Sequence, residues 1–298
     1  MKPMTSGMTM EEQIREMGRQ LQLQEETVQS LKERLGIAET EKQLLEKKLD
    51  RVRIMENLGA IAAGTAHDLN NILSGIATLP DLLLFSLDLN ERQKRAVEMI
   101  RQSGRRAVEL VAELAILARG RDDETETLDM NTLVKNCLMS PEFKGIQKTN
   151  PLFRMRTELA DEPLRLKGSF GLICKALTNL IVNAAADLSR NPLEENGLIL
   201  IRTRRVDLDQ TLRGFADWRP GRYVVLEVSD NGAALSESDR AGIFNPFYTR
   251  KVMGRNGTGL EMTIVRHVVL AHHGHIEIRT GAEGTGIEMY FPHADGSA

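Results

Sequence analysis

Between positions 10 and 56, apolar residues return alternately every three and four places. Ile14, Leu21, Val28, Leu35 and Leu49 fall on one seam, and Met17, Leu31, Ala38, Leu45 and Val52 on the other. A repeat of 3.5 residues winds a helix around a partner helix. Proline is absent between Thr9 and Asn57 and glycine nearly so, so nothing in the segment breaks a rod. Gln24, Lys42 and Glu56 interrupt the seam, which lowers stability but helps to fix register. The pattern predicts a coiled coil over 1–56 and a parallel dimer.

After Val52 the stripe shifts to Met55, Leu58 and Ile61, then runs through Leu69, Ile72, Leu73, Ile76 and Leu83. Such a change of phase is what an insertion in a heptad pattern produces. Pro80 lies inside this stretch and is expected to kink or weaken the helix. SLDLN at 86–90 predicts a turn and a cap before a second helix, whose apolar face is Val97, Ile100, Ala107, Val111, Leu114 and Leu117. Two such helices make a hairpin, and two hairpins a four-helix bundle. The reading for 57–120 is a dimeric helical module, closed by Gly120 and the charged linker RDDETE.

From about residue 127 the periodicity changes. PLFRMRTE, LILIRTRR, RYVVLEVSD, GHIEIRT and GIEMYFP read as strands. SFGLICKALTNLIVNAAADLS reads as a helix, and GAEG as the turn of a hairpin. An α/β layer domain over 121–298 therefore follows the helices, giving a fold class of α, then α/β.

Composition narrows the function. A net charge of −3 in 298 residues gives no basic footprint, so nucleic acid is not the expected partner. Cys137 and Cys174 lack CxxC spacing, which argues for a reducing compartment and against a disulfide framework or a thiolate zinc site. No membrane insertion is expected, and MKPMTSGMTMEEQ lacks the apolar core of a signal peptide. A soluble, cytoplasmic protein is the expectation.

Four stretches could carry chemistry. GTAHDLNNIL at 64–73 sets His67 beside Asp68, with Asn70 and Asn71 a turn away. Lys175, Asn179, Asn183 and Asp187 recur every four residues as one polar stripe on an otherwise apolar helix. That stripe either faces solvent or lines a polar cavity, because carboxamides are costly to bury unpaired. In VVLEVSDNG a buried strand ends at Asp230, where a carboxylate can accept from a ligand amine and Gly232 permits close approach. Asp-Asn-Gly is equally a good turn. IFNPFYTRK and GRNGTGLEM form a glycine-bearing stretch that runs into a helix, where backbone N–H groups suit phosphate oxygens.

In this order the elements resemble those of two-component sensor histidine kinases, and the resemblance covers nearly everything after residue 55. AHDLNNIL is similar to their phospho-acceptor box, LTNLIVNA to the asparagine box, and SDNG to the aspartate-glycine box. IFNPFYTRK is similar to the phenylalanine box and GTGL to the second glycine box. The resemblance implies a GHKL-type α/β sandwich that uses ATP and Mg2+. His67 would accept the γ-phosphoryl group, Asp68 would hold the second ring nitrogen, and Asn71 would orient water for dephosphorylating a partner. Asn70 would be structural. Asn183 would hold magnesium, with Asn179 beside it, and Asp230 with Gly232 would take the adenine amine. The loop from Lys251 through Gly257 and Thr258 to Gly259 and Leu260 would cover the phosphates. Related ATPases carry a water-activating glutamate where Asn179 stands, so transfer to protein is implied over hydrolysis. The implied partners are a second copy of the chain and a separate response-regulator receiver domain.

The match departs from the family at three places. Ala234 replaces a glycine, Glu261 sets a carboxylate near the expected polyphosphate unless it points outward, and His273 stands where glycine is usual. The alternatives are therefore a degenerate kinase acting as a dimeric scaffold, or a phosphotransfer or phosphatase protein with weak ATP use. His272, His273 and His275 read as a polar turn rather than a metal site.

Overall fold

The computed structural model describes residues 69, 71–86, 88–118, 125–141, 143–145, 153–190, 197–208, 220–248 and 258–294, with scattered positions between 10 and 42. The chain divides into two compact units, Met1–Asn57 and Leu58–Ala298. In the first, the described residues, among them Met17 and Leu35, are helical and exposed. Most of the predicted heptad seam lies outside the described residues.

The second unit begins with helix α1, Asn71–Ser86. It runs through Pro80, so the expected kink does not end it. A proline at 80 has no N–H to give the carbonyl of Ile76. That carbonyl faces Gly104 of helix α2 (Glu91–Ala118), where a side-chain carbon would stand 3.0 Å away. The Asn90 side chain accepts from Gln93 N–H at 3.0 Å and Gln93 Oε1 accepts from Asn90 N–H at 2.9 Å, a reciprocal cap that starts α2. Asp81 clasps the two helices through Arg101 at 3.2 Å and Arg105 at 3.1 Å. Ile72, Ile76, Leu79 and Leu82 of α1 and Met99 and Ile100 of α2 remain exposed.

The α/β part contains strand β1 (Glu126–Asp129), helix α3 (Met130–Met139), β2 (Phe153–Glu158), β3 (Arg165–Gly168) and helix α4 (Phe170–Arg190). These are followed by β4 (Gly197–Leu208), β5 (Gly221–Asp230), α5 (Glu237–Gly242), α6 (Glu261–Ala271), β6 (His275–Gly281) and β7 (Gly284–Pro292). The main sheet has five strands in the order β2-β4-β5-β7-β6. Among the described residues only β2 and β4 pair in parallel; β1 and β3 form a separate antiparallel pair. All five predicted strands are present. The sequence reading missed β1 and β3, each four residues long.

Strand alternation sends Ile199, Ile201, Leu226, Met289 and Phe291 into the core, which Ile173, Leu177, Leu180, Ile264, Val265 and Val268 of α4 and α6 complete. Each such side chain stabilises by roughly 1.5–3 kcal/mol through lost apolar surface. The register sets Glu158, Arg202, Glu227, Glu288 and Glu277 in one row across the sheet. Like charges opposite one another repel. Arg204 at 2.8 Å and Arg279 at 3.1 Å compensate the buried Glu288, while Arg202 bonds both Glu158 and Glu227. Tyr290 donates to Glu288. Burial first, then that carboxylate, push the phenol up to about 12.

Cys137 of α3 and Cys174 of α4 form a disulfide with Cα atoms 5.7 Å apart. This corrects the expectation, drawn from the lack of CxxC spacing, of a reducing compartment and no disulfide framework. Helix packing, not sequence spacing, brings together residues separated by 37 positions. Helix α4 has the length and composition of a membrane span, but it lies mostly buried in this fold.

Asp129 joins three elements. Its carboxylate accepts from Thr132 N–H at 3.3 Å and Thr132 Oγ1 at 2.8 Å, capping α3, and from Leu164 N–H at 2.8 Å. Burial raises its pKa, but hydrogen bonds from Thr132, Leu164 and Asn131 outweigh it and hold the carboxyl below its ordinary value. A lowered carboxyl pKa contributes stability above the unfolded value, about pH 4, and loses it as pH falls through the folded one. Asp129→Ala should cost about 1–3 kcal/mol at pH 7, through the lost cap and an unpaired Leu164 N–H. Denaturant titration at pH 7 and pH 3 checks this: the cost should shrink at pH 3, and an equal cost at both would contradict it.

Candidate nucleotide site

The polar stripe of α4 faces inward. Asn179 is 3 % exposed and Asp187 7 %, whereas Asn183 is half-buried. This decides between the two readings: a buried carboxamide and a buried carboxylate line an interior wall, and solvation does not explain them. Asn179 Nδ2 donates to the carbonyl of Glu261 at 3.1 Å, tying α4 to the first turn of α6. The Asn183 side chain carries no such tie among the described residues. A free carboxamide oxygen fits a magnesium ion held mainly by phosphate, since that ion keeps few protein ligands. No cluster of three acidic, histidine or cysteine side chains suited to a metal exists among the described residues.

At the end of β5, Asp230 is 8 % exposed, and its Oδ1 accepts from Gly232 N–H at 2.8 Å. Asn231 anchors the bend by accepting from Leu198 N–H at 2.7 Å. A side-chain carbon at Gly232 would lie 2.8 Å from Asp230 Oδ1 and 3.5 Å from Leu188 of α4. The segment is thus both a turn and a buried carboxylate against α4. Ala234 is exposed with ordinary backbone angles, so it imposes no demand for glycine.

The second glycine box meets the phenylalanine box at its backbone. Gly259 has φ +78, and a side-chain carbon there would stand 2.8 Å from Phe247 Cα. Phe247 itself has φ 62. Tyr248 braces the segment by donating to Asp239 Oδ1 at 2.6 Å. Leu260 is fully buried, so its part at the site is confined to its N–H, which bonds Thr258 Oγ1 at 3.2 Å.

Glu261 turns inward. Its carboxylate accepts from Thr258 N–H at 2.9 Å and Gly259 N–H at 3.0 Å, the two amides just before the N-cap Leu260 of α6. Those are the amides at which the sequence places phosphate. One residue escaped the sequence reading: Glu113 of α2, only 6 % exposed, whose Oε2 accepts from Thr258 Oγ1 at 2.5 Å. Lys175 stands 3.7 Å from its other oxygen. Burial, above all, raises the Glu113 pKa; Thr258 and Lys175 oppose this, and Glu261 and Glu109 add to it. In the helix period Glu113 falls at the edge of the predicted apolar face, one turn before Leu117, where a glutamate gives no signal.

The histidines near 272 have structural work. His272 Nε2 accepts from Ser169 N–H at 2.9 Å, and its Nδ1 lies 2.7 Å from the Val268 carbonyl. His273 ends α6 with φ 56, and Gly274 N–H bonds Val269 O at 2.8 Å, the arrangement in which glycine is favoured at the left-handed position. His273→Gly should raise stability by about 1 kcal/mol; an unchanged denaturation midpoint would contradict this. His67, Asp68, Asn70, Lys251 and Gly257 lie outside the described residues. Asn71 is exposed at the start of α1.

Residues 57–123 match the His Kinase A phospho-acceptor domain, and residues 171–295 the histidine kinase-, DNA gyrase B- and HSP90-like ATPase domain. The sensor kinase CckA of Brucella abortus is 28% identical over 86% of this chain and 26% of its own length. The sensor-like histidine kinase SenX3 of Mycobacterium bovis is 27% identical over 75% of this chain and 50% of its own. The chain thus spans about half or less of these curated relatives. The full-length ShkA structure in complex with AMPPNP shares the fold, with a TM-score of 0.56 at 20% identity over 79% of this chain and 46% of that one. With a phospho-acceptor domain followed by a kinase-type ATPase domain, and with sensor kinases as its relatives, the chain belongs to the sensor histidine kinases.

Proposed function

We propose that this chain is a dimeric protein-histidine kinase that phosphorylates itself on His67 with ATP and passes the phosphoryl group to an aspartate of a separate response-regulator receiver. The observation that carries the reading is the succession, in one chain, of a phospho-acceptor module and an ATPase module whose helix α4 turns Asn179 and Asp187 inward. In the first step a neutral imidazole nitrogen of His67 attacks the γ-phosphorus. The bond to the β,γ-bridging oxygen breaks, and ADP departs with that electron pair. Asp68, accepting from the other ring N–H, would fix the tautomer and balance the positive charge that develops on the ring, which keeps its proton. In the second step a receiver carboxylate oxygen attacks phosphorus and the P–N bond breaks, returning neutral His67.

Asn183 would hold Mg2+, whose charge would offset that of the phosphates, and Asp230 would accept from the adenine amine. Asn71, one turn after His67, orients water for removing phosphate from the partner. The exposed stripe of Ile72, Ile76, Leu79, Met99 and Ile100 supports pairing with a second copy. Dependence on ATP argues for work in the cytoplasm. Lys175, Asn179, Asn183 and Asp187 argue that α4 is a core helix and not a membrane span.

A second reading has one observation behind it. Glu261 holds amides that phosphate needs, which suits a degenerate kinase serving as a scaffold or phosphatase. Incubation of the full chain with Mg2+ and γ-labelled ATP separates the two. The kinase reading expects an acid-labile, base-stable label; the scaffold reading expects none, and no calorimetric binding of the nucleotide.

A further inference from the structure

We propose that Glu113 of the phospho-acceptor hairpin is a latch on the nucleotide site: through Thr258 it holds Glu261 on the amides that nucleotide phosphate must take, so nucleotide binding and undocking of α2 are one coupled event. The inference rests on the reading that ATP binds at the amino end of α6.

Thr258 is the hub. Its N–H goes to Glu261 Oε1, while its hydroxyl oxygen accepts from Leu260 N–H and its proton goes to Glu113 Oε2. Glu261 thereby supplies the anion that the first turn of a helix attracts. Glu113 locks the rotamer of the hydroxyl that keeps the turn closed. Charge makes the arrangement exclusive. Two carboxylates already share this turn, and Lys175 is a cation beside Glu113. A phosphate oxygen on Thr258 and Gly259 N–H would bring a third anion beside Glu113 and Glu261. Glu261 must then leave the amides, Thr258 must reorient, and Glu113 loses its hydroxyl partner inside a buried site. Lys175, released, faces the incoming phosphate.

Coupling of this kind is reciprocal: a change that frees α2 raises nucleotide affinity by the factor with which nucleotide frees α2. Losing one hydrogen bond to a charged group corresponds to about a tenfold change in affinity. The test is calorimetric titration of the full chain with a magnesium complex of a non-hydrolysable ATP analogue, beside hydrogen exchange of residues 108–118. Glu113→Ala should tighten binding about tenfold, and Glu113→Gln, which keeps the side-chain shape, should do so to a smaller extent. Glu261→Gln should also tighten binding, even though it weakens the turn that leads into α6 and lowers the stability of the free protein. Because both act through Thr258, the double substitution should gain less than the product of the two. In the native chain, the nucleotide should speed exchange in 108–118.

Native binding with unchanged or weaker affinity in both Glu113 variants, or nucleotide-independent exchange in 108–118, would overturn the latch and leave the kinase reading intact. Absence of binding in the native chain and in every variant would sink the kinase reading, and the latch with it.

Discussion

His67→Gln is expected to abolish phosphoryl labelling of the chain while leaving its affinity for MgATP unchanged. The reaction needs a nitrogen lone pair that lies in the ring plane and is free to attack phosphorus. Neutral imidazole offers one at pH 7, and the carboxamide of glutamine does not, because its nitrogen lone pair is delocalised into the carbonyl. His67 sits in the module at 57–123, whereas Asn179, Asn183 and Asp230 lie in the module at 171–295. Nucleotide binding should therefore survive the substitution. Asp68→Asn should slow labelling without removing it, since a carboxamide still accepts from the ring N–H but no longer balances the imidazolium. The measurements are radiolabel incorporation and calorimetry on the same preparations. Persistent, stoichiometric labelling of His67→Gln would place the acceptor elsewhere.

The phospho-acceptor and ATPase domains were legible because the stretches around His67, Asn183, Asp230 and Gly259 each carry a rare residue set, in the family's order. The five sheet strands were legible because Leu198 to Ile201, Tyr223 to Val228 and Ile287 to Phe291 are dense in branched and aromatic residues. The turn between β6 and β7 was legible from its two glycines. β1 and β3 were not, because four residues such as ETLD or RLKG carry no usable period. Three features depend on tertiary placement. The Cys137–Cys174 disulfide needs α3 against α4. The inward stripe of α4 needs a wall for Asn179 to join. The direction of Glu261 is a rotamer choice settled by the free amides of Thr258 and Gly259. Glu113 was hidden for a related reason: a glutamate on an amphipathic helix looks like a boundary residue until the surface covering it is known. The three departures from the family pattern therefore differ in kind. Ala234 is neutral, His273 is a small local strain, and Glu261 occupies the Thr258 and Gly259 amides at which the sequence places phosphate.

Gly284→Ala is expected to be strongly destabilising to the α/β part. Gly284 opens β7 with φ +118, a conformation that side chains resist. A methyl group there would fall 2.8 Å from Asn231 Cα and closer still to the carbonyl oxygen of Asp230. Both neighbours are backbone and cannot swing aside as a side-chain tip would. Neither can the strand drift, because Asp230 is paired with Thr285 and Asn231 is bonded to Leu198 on the other side. Clash and backbone strain together should cost about 3–5 kcal/mol. Relief of that clash requires the end of β5 to move, and the Asp230 carboxylate moves with it. Any folded fraction should therefore bind MgATP more weakly than the native chain at equal concentration of folded protein. Gly281 lies at the other end of the same turn, and a side-chain carbon there would meet nothing within 4 Å. Gly281→Ala should accordingly change the denaturation midpoint little. Thermal denaturation of both variants, followed by nucleotide titration below the transition, makes the comparison. Equal midpoints for the two would show that β7 shifts freely, and the account of Gly284 as the backstop of Asp230 would be wrong.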